Sequence, residues 1–444
     1  MAAIAAGNGR VSNAEYLGIA PNANLINLRV LGATGTGTVS GILAALDWVL
    51  ANRTTYNIRV VNVSLGAAAL DSYQNDPICR AVRRLVDLGV VVIAAAGNNG
   101  KNGLGQKIYG QIHSPGNEPS AITVGAANTF GTDERSDDEI ASYSSRGPTR
   151  SSWTDAFGSK HYDHLIKPDI SAPGNKLIYA EAVNNYLVTQ NPSLDAGVSP
   201  VDRRRMMYMN GTSMATPIAA GAVVLMLQVN PTLTPNLIKA LLMYTAQPLA
   251  GFNMLEQGAG QINIEGAIRV ARLVRTDLGP LTPFGASLLT TLVPPVQQST
   301  IAGHTFSWSG GLLFEYNFAT GSELITKYQS IYRLGVLVGD AVLINNGVFL
   351  ADRTLLTNGV LVGDGVLVGD GTVLGNGTVF LTSGVLVGDG VLVGDGVLVG
   401  DGVLVGDACL NSDSTAQAMS ASTNGDLTSE TNVEIDAGVD CLNY

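Results

Sequence analysis

Up to about residue 275 the apolar positions follow two rhythms. Continuous aliphatic runs of strand length end in glycine or polar residues: "ANLINLRVLG" (23–32), "IRVVNVSLG" (58–66), "VVVIAAAGNNG" (90–100) and "SAITVGAAN" (120–128). Between them lie segments with helical spacing, "TVSGILAALDWVLANR" (38–53) and "DPICRAVRRLVDLG" (76–89), the second stopped by Gly89. Runs that are apolar at every position suit strands buried on both faces. Strand and helix in alternation predict an α/β fold, a mostly parallel sheet with helices on both faces. Ligands of such sheets bind beyond the carboxyl ends of the strands. That places "SLG" (64–66) and "AAGNNG" (95–100) at the functional edge. Ile218 to Val229 reads as a buried helix, and no run reaches the roughly 18 apolar residues of a membrane span.

The pattern then changes. Residues 276–334 mix Pro, Gly, Ser and Thr with scattered aromatics and are expected to be a linker with some local structure. From 335 to 407 a hexapeptide repeats, with "GVLVGD" unchanged at 335, 359, 365, 384, 390, 396 and 402. Its aliphatic and small positions resemble the hexads of left-handed β-helices. Stacking would line up Asp340, Asp364 and Asp370 at corners, a row of like charge that cations such as Ca²⁺ would screen. The other reading is a low-complexity tract with no unique register. Residues 408–444 are polar and rich in Ser and Thr, the composition of a disordered tail.

Charge sharpens this division. Residues 335–444 hold 14 acids and one base, Arg353, so −13; residues 1–334 hold 22 acids and 24 bases, so +2, and together they give the net −11. Such acidity excludes a nucleic-acid role for the C-terminal part. The three cysteines, Cys79, Cys409 and Cys441, have no metal-type spacing; Cys409 and Cys441 either pair or stay free.

Candidate chemistry centres on "NGTSMATPIAAG" (210–221). Ser213 would sit at the start of a buried helix, where the helix dipole favours developing negative charge. Ala215, Ala219 and Ala220 would let that helix approach the sheet, with Pro217 in its first turn. Taken alone, Thr212 or Ser213 would be an ordinary N-cap. Other motifs outweigh that reading: "GIAPNANLINLRVLG" (18–32), "VVNVSLG" (60–66), "VVVIAAAGNNG" (90–100), "SSRGPT" (144–149), "KPDISAPG" (167–174) and "QGAGQINIEGAIRVA" (257–271). With "NGTSMATP" they resemble, in order and spacing, the subtilisin-like serine proteases, the subtilases.

The resemblance implies a serine endopeptidase domain over 1–275. Ser213 matches the catalytic serine and Asn98 the donor to the oxyanion. Ser64, Leu65 and Gly66 match the edge that pairs with an extended polypeptide substrate; Ala95, Ala96 and Gly97 match a pocket wall. No metal ligand and no required cofactor are implied, and secretion or cell-surface location is usual in the family. The family's Asp and His motifs precede the stretch that "AAIAAGNG" (2–9) resembles, and neither is present. His113, His161, His164 and His304 lack the family's histidine motif. The chain as written is therefore expected to be poorly active or inactive, with an open sheet edge beside 23–32 prone to aggregation. A separate N-terminal fragment is one possible supplier of the base. The alternative function is a non-catalytic peptide-binding or structural repeat protein derived from a subtilase.

Overall fold

The computed structural model describes residues 1–336, except Val11, Ala33, Thr34, Asp202, Arg203 and Tyr316. Beyond 336 it describes only short strand pieces between 344 and 399 and parts of 421–432. The winding of the hexapeptide repeat, its Asp corners and Cys409 and Cys441 lie outside the described residues.

The central sheet has five strands: four run parallel in the spatial order Val60–Val63, Val91–Ala95, Ile122–Asn128 and Ile170–Pro173, and the short Glu139–Ile140 pairs antiparallel with Ile122–Asn128. Register is set by Val60 opposite Val91, Ile93 opposite Ile122 and Val124 opposite Ile170. The second and third strands are buried along their whole length, as their unbroken apolar runs require. Helices cover both faces. Leu46 and Val49 of helix Val39–Asn52 share one apolar cluster with Ile78, Val82, Leu85 and Val86 of helix Pro77–Asp87. The latter starts where Asp76 accepts hydrogen bonds from the backbone of Ile78 and Cys79, satisfying donors the helix leaves free. On the other face lie helices Thr212–Val229, Pro235–Thr245 and Ile264–Leu273, with their apolar residues in the main core.

Thr212–Val229 is the described helix with the length and apolarity to cross a membrane, but 72% of it is buried inside the fold. Its alanines bring it against the sheet. A buried charge cluster ties the far side together: Asp169 accepts from Lys167 and Lys239, each at 2.8 Å, and from the Thr123 backbone at 2.7 Å. Such a cluster holds only while every member keeps its partner.

Two expectations change. Residues 23–32 form no strand; among the described residues their backbone bonds lie at the two ends, Ala23 to Ala20 and Gly32 to Thr36 and Gly35. Leu25 and Ile26 are 57% and 46% exposed. A strand needs a neighbour, and the sheet ends at Val60–Val63, which pairs on one side only among the described residues. Residues 276–334, expected as a linker, carry two hairpins, Gln298–Ile301 with His304–Ser307 and Gly311–Phe314 with Asn317–Thr320. Leu288, Trp308, Leu312, Ile325 and Tyr332 from this stretch join the main core.

Candidate active site

The loop that follows strand Val91–Ala95 meets the start of helix Thr212–Val229. Gly211 is the N-cap with no side-chain cap, so Thr212 and Ser213 open the helix and neither caps it. The Thr212 hydroxyl instead reaches across to the loop. It accepts from the Gly97 backbone at 3.1 Å and donates to Asn98 Oδ1 at 3.1 Å. The Thr212 backbone N–H donates to the same Asn98 oxygen at 2.9 Å. Two donors on Oδ1 fix the carboxamide orientation. Its Nδ2 lies 3.1 Å from where a Cβ on Gly211 would stand and donates to no group among the described residues.

Ser213, one residue beyond Thr212, is half-buried, and its hydroxyl makes no hydrogen bond among the described residues. Pro217 falls in the second turn, not the first, so Ser213 C=O receives no N–H from it. Tyr143 holds the turn from beneath: its hydroxyl accepts from Gly211 N–H at 3.2 Å and donates to Gly174 C=O at 2.8 Å. Burial pushes the Tyr143 phenol well above its ordinary range, so it stays a donor at any working pH.

The remaining predicted residues lie at the carboxyl ends of strands Val60–Val63 and Val91–Ala95. Ala95, Ala96 and Gly97 are buried; Ser64 is buried and accepts from Asn62 at 2.9 Å; Leu65 is half-buried and Gly66 exposed. His113, read from sequence as a loop residue, lies on the short strand His113–Ser114 paired with Ala67–Ala68. Its ring packs against Gly97, its Cβ faces Gly66, and Nε2 is 2.7 Å from Asn99 Nδ2. Burial holds the imidazole below its ordinary pKa, favouring the neutral form. His161 bonds Asp155 at 3.0 Å, His164 stacks on Tyr162, and His304 lies 3.4 Å from Glu134. Among the described residues no group of three or more His, Cys, Asp or Glu is placed to hold a metal. Cys79 is buried, donating to Asn117 Oδ1 at 3.1 Å.

The site thus joins a half-buried hydroxyl at a helix start to a loop carboxamide at the carboxyl end of a parallel strand. The chain belongs to the subtilase family, whose model matches residues 1–265. It is 37% identical over 272 residues to Serine protease AprX of Bacillus subtilis (strain 168), covering 59% of this chain and 55% of that protein. It is 32% identical over 251 residues to Subtilisin E of the same organism, covering 56% of this chain and 50% of that one. Among solved structures, Sphericase is 26% identical with a TM-score of 0.45, over 59% of this chain and 75% of that one. The chain spans about half the length of the curated relatives it matches.

Proposed function

We propose that this chain carries the nucleophile and oxyanion half of a serine endopeptidase that cuts polypeptides through an acyl-enzyme on Ser213. The observation that carries the reading is the pair of hydrogen bonds that the Thr212 backbone N–H and hydroxyl donate to Asn98 Oδ1. It turns the Asn98 amide outward beside Ser213, where it would donate to the tetrahedral oxyanion together with the positive end of the helix. An extended substrate would pair with Ser64 to Gly66 as an added strand, and Ala95 to Gly97 would wall the pocket for the side chain before the cut bond.

Among the described residues Ser213 has no base as a hydrogen-bond partner, so hydrolysis by this arrangement alone would be slow. The base and its orienting carboxylate would come from a further segment of a subtilase. Among the described residues Val60–Val63 pairs on one side only and 23–32 pairs with no strand, which offers such a segment a place to add strands. By the family resemblance the protein would act outside the cell or at its surface; it would require no cofactor, and Ca²⁺ at the repeat is part of the proposal. The second reading, a peptide-binding protein without catalysis, rests on the same free hydroxyl beside an intact edge. An active-site-directed organophosphonate separates the two: Ser213 is labelled only when a working base is supplied, whereas a pure binder is labelled in neither state.

A further inference from the structure

Beyond the repeat the chain returns to the nucleophile turn. Asp426 accepts from the Ser142 backbone N–H at 2.8 Å and from the Ser142 hydroxyl. Its own N–H donates to Asn175 Oδ1 at 3.0 Å, and Asn175 Nδ2 donates back to Asp426 C=O at 3.4 Å. Asn175 is held in turn by Asn128 Oδ1 at 3.2 Å. Gly425, at φ +58, fits against Asn210, whose Oδ1 a Cβ at this position would strike; only glycine suits both the backbone and the space. Ala421 packs on the main core, and Thr431–Asn432 adds a parallel strand to Leu177–Ala180. These contacts span up to 284 residues of sequence.

Each residue gripped by this segment adjoins one that shapes the nucleophile turn. Ser142 precedes Tyr143, whose hydroxyl accepts from Gly211 N–H. Asn175 follows Gly174, whose carbonyl accepts from Gly211 N–H at 2.9 Å and from Tyr143. Asn210 precedes Gly211, and its Oδ1 accepts from Lys176 N–H at 2.7 Å. The two loops that pin Gly211 are thus braced from outside by Asp426, through its carboxylate at Ser142 and its backbone at Asn175, while Gly425 abuts Asn210.

We propose that Ala421, Gly425 and Asp426 form an intramolecular clasp on the nucleophile turn, with Asp426 as a positioning residue acting through Ser142 and Asn175. The clasp itself stands on the contacts above; its bearing on catalysis rests on the Ser213 reading. Asp426 touches neither Ser213 nor Asn98. Its effect runs through backbone groups whose protection depends on how often the turn opens. Release of the clasp would leave the Ser142 N–H without its acceptor and the Gly174–Gly211 bond without its brace.

The test uses the full chain with a specific protease site inserted after Asn411. After cleavage the wild-type C-terminal fragment stays with the rest of the protein on gel filtration, and the Asp426→Ala fragment separates. Hydrogen exchange of the uncut proteins reads the turn. Asp426→Ala speeds exchange at Ser142 and Gly211 by about tenfold, the factor expected from roughly one hydrogen bond. Strand Val91–Ala95 is unchanged, and Asp426→Asn, which keeps an acceptor, restores most of the protection. Separation of the wild-type fragment, or an unchanged Gly211 amide in Asp426→Ala, overturns the proposal. If Asp426→Ala fails to fold, the wild-type cleavage result alone decides. Phosphonate labelling of Ser213 plays no part in either readout, so failure of the protease reading and failure of the clasp are told apart.

Discussion

Thr212→Val isolates the link that aims Asn98. The substitution keeps shape and volume and leaves the Thr212 backbone bond to Asn98 in place, but removes the hydroxyl. Two hydrogen bonds go with it, Thr212 Oγ1 to Asn98 Oδ1 and Gly97 N–H to Thr212 Oγ1, both at 3.1 Å. The first costs about 1 kcal/mol, because Oδ1 keeps its other donor. The second strands a buried backbone N–H, at about 1–3 kcal/mol. Thr212 is fully buried, so water does not replace the lost partner. The total is about 2–4 kcal/mol, or a urea midpoint lowered by about 1 M at a slope near 3 kcal/mol/M. Thr216→Val is the control: its hydroxyl donates only to the Thr212 carbonyl at 2.6 Å, and its loss costs about 1 kcal/mol or less. Midpoints of both variants are compared at unchanged slope, with exchange of the Gly97 amide followed alongside. A Thr212→Val midpoint equal to wild type, with Gly97 still protected, refutes the claim that this hydroxyl joins the loop to the helix.

Three further outcomes follow. Asp169→Asn leaves Lys167 and Lys239 buried without their carboxylate and costs about 3–5 kcal/mol; a loss under about 1 kcal/mol in urea unfolding contradicts the buried-cluster account. Burial holds the Asp138 carboxyl up at about 6 against 3.8 when free, so the folded state keeps a proton that the unfolded chain gives up. Stability therefore falls as pH rises through about 4 to 6. Asp138→Asn, which preserves the acceptor for Gln261, flattens that fall and gains up to about 3 kcal/mol at pH 7.5 but none near pH 3.5; unchanged slopes in paired melts refute it. Gly97→Ala forces a Cβ to 2.7 Å from Ser145 Oγ at φ +111 and destabilises by about 1–3 kcal/mol, whereas a neutral melt shows that the loop yields.

Much of this was legible in the chain because it depends on local pattern. The buried strands at 91–95 and 122–128 have apolar runs that suit no other environment. The meeting of Asn98 with the helix of Ser213 follows from two motifs at the ends of adjacent elements. The segment 23–32 has equally strong strand residues but no ladder, because pairing depends on a neighbour and not on its own sequence. Residues 276–334 look like a linker because their hairpins are four residues a strand, too short for a period to emerge. Thr212 was in view as a helix-start residue, but its hydroxyl's cross-loop role shows only in three dimensions. His113 between Gly66 and Gly97, and Asp426 on Ser142, had no local signal.

Whether Ser213 and Asn98 form one catalytic pair is decided by stoichiometric labelling with a biotinylated organophosphonate. The chain alone is compared with the chain co-expressed with a subtilase segment bearing the Asp and His motifs, and the label is mapped by mass spectrometry. A catalytic pair gives no label on the chain alone and one label per molecule at Ser213 in the complemented protein. Asn98→Ala then slows labelling by about 10² or more, the loss typical for one oxyanion donor and a magnitude established on subtilisin itself. A label on another residue, or no label at Ser213 in a complemented protein shown to be assembled, contradicts the pairing.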